Sequence, residues 1–189
     1  MRKRQALINA AVNEFSSAGF EDTTAKSIAA KAGVATGTFY QYFENKNDIL
    51  RVIAEDRFAE LQHNIPTLNL DVAKNTGAEQ LVSLFKRSLR FVYEFHAHAP
   101  MLHQILEHRR SLDPKLRELM QQGEAVLKER VLKLVLAMNV EHAPIVANNL
   151  FSMAEGIVHR QAFDENDHDL ELVLTVGAKM LASYFAAKN

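Results

Sequence analysis

Residues 24–43 have the sequence TAKSIAAKAGVATGTFYQYF, which predicts two short helices joined at Gly33. Apolar residues at helical spacing precede this glycine, and a glycine in that place is suited to the left-handed conformation that ends a helix. A second helix that begins near Thr36 buries Phe39 and Phe43, because residues four positions apart lie on the same side of a helix. The stretch therefore predicts a helix-turn-helix.

The opposite side of this second helix has polar side chains or none. Thr36, Gly37, Thr38, Tyr40 and Gln41 are left to face outward. Hydrogen-bonding side chains and a glycine on an exposed helix suit the major groove of DNA, where base edges present donors and acceptors. The alternative is an ordinary helical hairpin in a bundle, with a glycine in its turn and half-buried tyrosines.

An amphipathic helix precedes the hairpin and favours the first interpretation. Its apolar side comprises Leu7, Ile8, Ala11, Val12 and Phe15, and the pattern breaks at Gly19 and Phe20. Three helices of this size form a compact domain, which we predict over residues 1–46 as the DNA-binding domain.

The ordered motifs of residues 5 to 52 resemble the N-terminal domain of the tetracycline-repressor (TetR) family of bacterial transcription regulators. The matching positions are Ala10-Ala11, Phe15, Gly19-Phe20, Thr24, Ile28-Ala29, Ala32-Gly33-Val34, Gly37-Thr38, Phe39-Tyr40, Tyr42-Phe43, Asn45-Lys46 and Leu50. The resemblance implies that the chain is a DNA-binding transcription regulator of the helix-turn-helix type, and not an enzyme.

The resemblance also implies which residues contact DNA. Those at the family's contact positions are Lys26, Thr36, Thr38, Tyr40, Tyr42 and Lys46. The two tyrosines are expected to donate their hydroxyls to phosphates, and Lys46 is expected in the first turn of a fourth helix, behind the cap Asn45. Thr36, Gly37, Thr38 and Gln41 are expected nearest to base edges, where Gln41 is able to pair with adenine.

Two features depart from the family's pattern. Many members have a serine that caps the second helix, whereas this chain has Ala35, which offers no side-chain acceptor; Thr36 is the alternative cap. The positive charge of the domain is also small, since residues 1–51 hold seven basic and five acidic residues. The whole chain has a net charge of −1, which excludes a non-specific polycation but allows a local basic face.

The remaining residues, 47–189, are predicted to form one helical domain that binds an effector and dimerises. The chain has 189 residues, is 48% hydrophobic and contains no cysteine, so neither a disulfide framework nor a thiolate metal site is expected. Apolar residues recur at three and four positions, which predicts an all-α fold. With neither a signal peptide nor a membrane-spanning stretch in the sequence, we expect a cytoplasmic protein that associates with the nucleoid through its operator.

The last two helices are predicted at residues 143–163 and 169–187, joined by an acidic turn at 164–168. Both have wide apolar sides. In the family that the chain resembles, these helices pair with their copies in a homodimer, and the resemblance implies the same here; the alternative is that both sides are buried within one subunit. A two-fold dimer presents two recognition helices to a palindromic operator.

The resemblance further implies a repressor that a small molecule releases from DNA. An apolar cavity with a few polar groups suits a lipophilic effector. The candidate lining residues are Phe58, Phe85, Phe95, His103, Met120, Asn148, Phe151 and His159. The alternatives are that these residues are plain core and that the regulator acts without an effector.

A helical metal-dependent enzyme is the third alternative. Glu60 with His63 and Glu165 with His168 have the Glu-x-x-His spacing of helical di-iron sites, but no companion pair of glutamates is evident. His96, His98 and His103 are close in sequence, yet residues two apart diverge on a helix. Nucleophile, phosphate-loop and dinucleotide motifs are absent from the sequence, so we expect no catalytic residue, no metal and no cofactor.

Overall fold

A computed structural model describes residues 2–67, 77–164 and 168–186. Within these ranges the chain forms nine helices and no strand, which confirms the all-α prediction. The helices are α1 (Arg2–Asp22), α2 (Ala25–Lys31), α3 (Thr36–Tyr40), α4 (Lys46–Asn64), α5 (Ala78–Ala97), α6 (Pro100–Arg110), α7 (Pro114–Ala137), α8 (Ala143–Phe163) and α9 (Leu170–Ala186).

The helices divide into two compact units. The first comprises Met1–Glu60 together with Ala99–Gly123, and the second comprises Leu61–His98 together with Glu124–Asn189. Residues of α1, α2, α3, α4, α6 and α7 share the core of the first unit, with Leu7, Phe15, Phe39, Ile49 and Leu102 almost completely buried. The assignment of DNA binding to residues 1–46, and of effector binding and dimerisation to residues 47–189, is separate from this division into units and stays a prediction.

Helix α1 carries the predicted kink at its carboxyl end. Gly19 has φ 79° and ψ 173°, a conformation that interrupts the helix and that favours glycine. The hydroxyl of the buried Thr23 donates a 2.6 Å hydrogen bond to the Gly19 carbonyl, which satisfies one acceptor that the kink leaves open. The kink turns the chain so that Phe20 packs on Phe15, with ring centroids 5.3 Å apart.

Local signals also set the two helices of the hairpin. Thr24 caps α2 in a capping box, because its hydroxyl accepts from the Ser27 amide while Ser27 accepts from the Thr24 amide, each at 3.0 Å. Gly33 has φ 68°, which confirms the predicted left-handed turn. Helix α3 begins at Thr36 with Ala35 as its N-cap and without a side-chain cap, so the alternative cap at Thr36 is wrong.

The starts of the later helices follow equally local rules. Asn45 Oδ1 accepts from the amides of Asn47 and Asp48, so the predicted cap of α4 is confirmed. Pro100 occupies the first position of α6, and Asp113 Oδ1 accepts from the Lys115 and Leu116 amides at the start of α7. Proline fits the first turn because the amide it lacks has no helical acceptor there.

The second unit is built on α5, α8 and α9. Helices α8 and α9 begin and end within one residue of the predicted bounds, while residues 165–167 of the predicted acidic turn lie outside the described ranges. Buried Leu89 of α5 and Leu174 of α9 share the core with Leu150 of α8. The side chain of Ile157 on α8 packs against Gly177 of α9, where an added Cβ would lie 3.0 Å from it.

An exposed ion-pair cluster joins α5 to α9 within this unit. Glu171 of α9 accepts hydrogen bonds from Arg90 and Lys86 of α5. The bond from Arg90, followed by the bond from Lys86, lowers the pKa of the Glu171 carboxyl. Because the cluster lies in water, its contribution to stability is small and falls with added salt.

None of the helices in the described ranges has the length and apolar character needed to cross a membrane.

A partly buried ion pair ties α4 to the start of α7 in the first unit. Arg51 Nη1 donates to Asp113 Oδ2 at 2.7 Å, and both side chains are largely shielded from water. Burial alone would raise the pKa of the Asp113 carboxyl, but hydrogen bonds from the Leu116 amide and from Arg51, together with the charge of Arg51, lower it. The same carboxylate therefore caps α7 and holds α4.

We expect Asp113→Asn to lower the free energy of unfolding by about 1.5–3 kcal/mol, the range for a hydrogen bond to a charged group. Asparagine keeps the cap of α7, so the loss reports on the Arg51 pair. The pKa of the Asp113 carboxyl is lower in the folded state than in the unfolded chain, where it is about 3.9. The ion pair therefore stabilises the fold above about pH 4, and this contribution disappears as the pH falls through the folded-state pKa.

Urea unfolding of both proteins between pH 3 and pH 7 measures this prediction. The stability curves should converge at the acidic end. A constant difference across the range would mean that the carboxylate charge contributes nothing.

Candidate nucleic-acid interface

The short helix α3 has one buried side and one exposed side. Phe39 is completely buried, and Phe43, one turn later, is nearly so. The rings of Phe39 and Phe43 lie 5.7 Å apart, and the Phe43 amide still donates to the Phe39 carbonyl at 3.0 Å. These two rings fix which side of α3 faces the solvent.

The exposed side of α3 contains the residues that the sequence placed there. Thr36, Gly37 and Gln41 are exposed, and Thr38 is half-buried. Tyr40 is 60% exposed and Tyr42 is 40% exposed. Exposed phenols at the end of a helix present hydroxyl donors next to the polar residues of its first turn. The sequence-predicted base-edge and tyrosine positions are thus exposed or half-buried in the first unit.

Basic side chains lie on helices next to α3. Lys26 is exposed in the first turn of α2, whereas Lys31 at the end of α2 pairs with Glu14 at 3.2 Å. Arg4, in the first turn of α1, places its guanidinium 5.6 Å from the centroid of the Phe43 ring. The basic residues Arg2, Lys3 and Arg4 at the start of the sequence are each able to approach a phosphate, but nothing local indicates that the start of α1 meets the residues after α3.

Lys46 lies at the start of α4, where the sequence placed it, but its ammonium group contacts the protein itself. It donates to the carbonyls of Phe20 at 2.7 Å and of Glu21 at 2.9 Å, past the kink of α1. It also lies 4.5 Å from the centroid of the Phe20 ring. Two of its three N–H donors are thereby used, and its predicted phosphate contact is untested.

Arg109, from the last turn of α6, reaches the same place. Its Nη2 donates to Asn47 Oδ1 at 3.0 Å, its Nη1 lies 3.3 Å from Glu21 Oε1, and its guanidinium carbon lies 4.4 Å from the Phe20 centroid. The sequence offered no signal for this residue, since no local pattern links α6 to the start of α4.

The predicted effector-lining residues are divided between the two units. Phe58, His103 and Met120 belong to the first unit. Met120 is buried in the core of that unit, and the partly buried Phe58 packs against this core. Phe58 lies close to the backbone of Gly123, where an added Cβ would be 2.4 Å from its ring. His103 is half-buried on α6.

The other five belong to the second unit, where Phe95 and His159 are brought together. Both rings contact the imidazole of His96, with centroids 5.8 Å and 5.1 Å away, and Phe163 packs on His159 at 5.6 Å. The His96 Nδ1 lies 2.7 Å from the Val92 carbonyl, so this nitrogen is the donor. We call these four rings (Phe95, His96, His159 and Phe163) the α5–α8 ring cluster.

Three predicted lining residues of this unit lie apart from that cluster. Phe85 stacks on Phe185 at 6.1 Å, and Phe151 lies under the ammonium group of Lys128 at 5.1 Å. Asn148 is exposed on α8. Whether any of these side chains contacts an effector is untested.

The two Glu-x-x-His pairs are only partly within the described residues. Glu60 and His63 are both exposed near the end of α4. Glu165 of the second pair lies outside the described residues, and His168 is exposed.

The helix-turn-helix segment matches a known family. Residues 7–53 match bacterial regulatory proteins of the tetR family. A curated relative, the fatty acid metabolism regulator protein of Bacillus subtilis, is 32% identical over 82 residues, which are 43% of this chain and 41% of that protein. The match therefore spans less than half of the relative's length.

Solved structures resemble the chain over nearly its whole length. A putative TetR-family transcriptional regulator from Mesorhizobium loti has a TM-score of 0.80 at 18% identity, covering 99% of this chain and 96% of that one. The regulator FadR from Bacillus subtilis, solved in complex with stearoyl-CoA, has a TM-score of 0.70 at 18% identity and covers 95% and 98%. At these identities the likeness establishes the fold of both parts of the chain.

Proposed function

Because the N-terminal domain of this chain belongs to the tetR family of bacterial regulatory proteins, we propose that the protein is a homodimeric transcription regulator that binds a palindromic operator and is released by a small molecule. The observation that carries the proposal is the polarity of α3. Its apolar side is buried through Phe39, and its other side exposes Thr36, Gly37 and Gln41 beside two tyrosines.

The proposed contacts fall into two classes. Thr36, Gly37, Thr38 and Gln41 are the proposed base-edge contacts. The first three lie at the amino-terminal end of α3, and a helix in the major groove reaches bases with its amino-terminal residues; Gln41 is the C-cap of α3. The proposed phosphate contacts are Lys26, Tyr40, Tyr42 and Lys46. For Lys46 this requires its third N–H, since the carbonyls of Phe20 and Glu21 accept from the other two.

The exposed side of α9 supports dimerisation. Leu172, Val176, Met180 and Tyr184 follow one another at four-residue intervals and are 62%, 47%, 53% and 43% exposed. Four large apolar side chains along one side of a helix form a patch of the kind that marks a protein interface. Pairing through this side gives the two recognition helices the symmetry of a palindrome, with half-sites about 34 Å apart or somewhat more.

The α5–α8 ring cluster supports a lipophilic effector. Aromatic walls with a few polar atoms are typical of small-molecule sites, and here two imidazoles supply nitrogen atoms among phenyl rings. The FadR that resembles this chain was solved with stearoyl-CoA, so a long-chain acyl group is the first class to test. We propose that binding occurs in the cytoplasm, at operators on the nucleoid.

Selection of bound duplexes from a random library, with the full chain at near-physiological salt, tests the DNA-binding function. A palindromic motif is the expected result, and a retained pool without any motif would overturn the proposal. Adding long-chain acyl-CoA to the protein–DNA complex then distinguishes an effector-controlled regulator from an effector-independent one. The first dissociates from the DNA, and the second does not.

We expect Thr38→Ala and Gln41→Ala to change which sequence is preferred, whereas Tyr40→Phe weakens binding to every sequence by a similar factor. Each lost base contact changes discrimination by about 1–3 kcal/mol at one position. A phenol that bonds a phosphate contributes equally to all duplexes. Repeating the library selection with each variant and measuring Kd on two unrelated duplexes checks both; a sequence-dependent loss in Tyr40→Phe would contradict its assignment.

Met180→Lys is expected to shift the protein from dimer to monomer, because it places a charge in the centre of the proposed apolar interface. The matched control is Leu136→Lys on α7, where the wild-type leucine is 56% exposed but is not part of the α9 stripe. Sedimentation equilibrium gives the mass of each variant. A monomer in the control together with a dimer in Met180→Lys would place the interface elsewhere.

A further inference from the structure

One aromatic ring near the end of α1 has two cations beside it. The Lys46 ammonium and the Arg109 guanidinium lie 4.5 Å and 4.4 Å from the centroid of the Phe20 ring. Glu21 is their shared carboxylate, with Oε2 3.8 Å from Lys46 and Oε1 3.3 Å from Arg109. We call Phe20, Glu21, Lys46, Asn47 and Arg109 the Phe20 cluster.

The cluster joins three helices of the first unit at the start of α4. Lys46 and Asn47 are the first two residues of that helix, Phe20 and Glu21 follow the kink of α1, and Arg109 is one residue from the end of α6. The Arg109–Asn47 hydrogen bond, at 3.0 Å, acts on the turn whose amides are capped by Asn45. Arg109 thus holds the helix start that carries Lys46.

The contacts of Arg109 determine its position firmly. Its side chain is only 17% exposed, and its guanidinium meets an amide oxygen, a carboxylate and a ring. Its Nε is buried and has no hydrogen-bond partner among the described residues.

The charge of the cluster favours an anion at Lys46. Two cations share one carboxylate whose side chain is 75% exposed, so the cluster has a surplus of one positive charge. The amino terminus of α4 adds the positive end of the helix dipole at the same place. Lys46 remains 26% exposed, whereas Arg109 is more deeply placed. Of the two, Lys46 is the one suited to meet a phosphate.

We propose that Arg109 is a positioning residue for the DNA-binding surface. It fixes Phe20, Glu21 and the first turn of α4 in the arrangement that presents Lys46, and it does not contact DNA itself. This inference rests on the proposed DNA-binding function. It places one determinant of operator affinity on α6, outside residues 7–53 that match the family and outside the predicted DNA-binding domain.

The test uses full-length Arg109→Gln, Arg109→Lys, Lys46→Gln and the double variant Arg109→Gln/Lys46→Gln on the operator obtained from the library selection. Kd is measured at several salt concentrations, well below the melting temperature of each variant. Lys115→Gln is the matched control, since it removes one positive charge from an exposed position of the same unit.

Arg109→Gln should weaken binding about fivefold to twentyfold and lower the salt slope by no more than Lys46→Gln does, because the phosphate contact that it disturbs is the contact of Lys46. Arg109→Lys should lie between this variant and the wild type, since it keeps the charge but cannot bond Glu21 and Asn47 in the same geometry. Lys46→Gln should weaken binding and lower the salt slope by about 0.9 per subunit. In the Arg109→Gln background the same Lys46 change should have a much smaller effect.

Three results would overturn the inference. They are an unchanged Kd in Arg109→Gln, fully multiplicative effects of the two substitutions, and a double variant whose loss of salt slope is the sum of two full single losses, as two separate phosphate contacts would give. A purely structural role predicts a lower melting temperature but an unchanged Kd of the folded protein. If Arg109→Gln does not fold, Asn47→Ala takes its place, because it removes the amide oxygen that accepts a hydrogen bond from Arg109. The same criteria for Kd and for the salt slope then apply.

Failure of this inference is distinguishable from failure of the proposed function. A wild-type protein that selects no DNA motif refutes DNA binding altogether. A wild-type protein that binds its operator, with Arg109 variants that bind equally well, refutes only the role of Arg109.

Discussion

The burial of Phe39 is the contact on which the proposed DNA-facing surface depends. Helix α3 has five residues and no side-chain cap, and a helix of that length is not stable by itself in water. Phe39 is completely buried in a core that also contains Leu7 of α1, Ile28 of α2 and Ile49 of α4. The hydrophobic contact therefore supplies the stability that the short helix lacks, and it also determines which side is exposed.

This arrangement separates stability from recognition within one turn of helix. Phe39 faces the core, whereas Thr36, Gly37 and Gln41 face outward and contribute little to folding. Side chains on the exposed side are free to differ without loss of the fold, because no core contact depends on them. The fold of this region is therefore set by its buried residues, whereas the operator sequence requires an experiment.

Residues far along the chain complete the first unit. The segment Ala99–Gly123 packs with Met1–Glu60, and two polar contacts define its attachment: Arg51 with Asp113, and Arg109 with Asn47 and Glu21. Both contacts act on α4, the helix that follows the hairpin directly. The position of α4 consequently depends on residues that lie outside the helix-turn-helix itself.

The sequence by itself determined the all-α fold, the hairpin, and most helix starts and ends. The Thr24 cap, the left-handed Gly33, the Asn45 cap and the Asp113-Pro114 start were all predictable, because helix hydrogen bonds and caps join residues no more than about four positions apart. The buried side of α3 was predictable for the same reason, since the spacing of Phe39 and Phe43 is itself local. Only the tertiary structure decided that Lys46 bonds the end of α1, and that Arg109 meets Asn47 and Glu21, 62 and 88 positions away. Such contacts depend on how whole helices pack, and no pattern in the neighbouring residues specifies that packing.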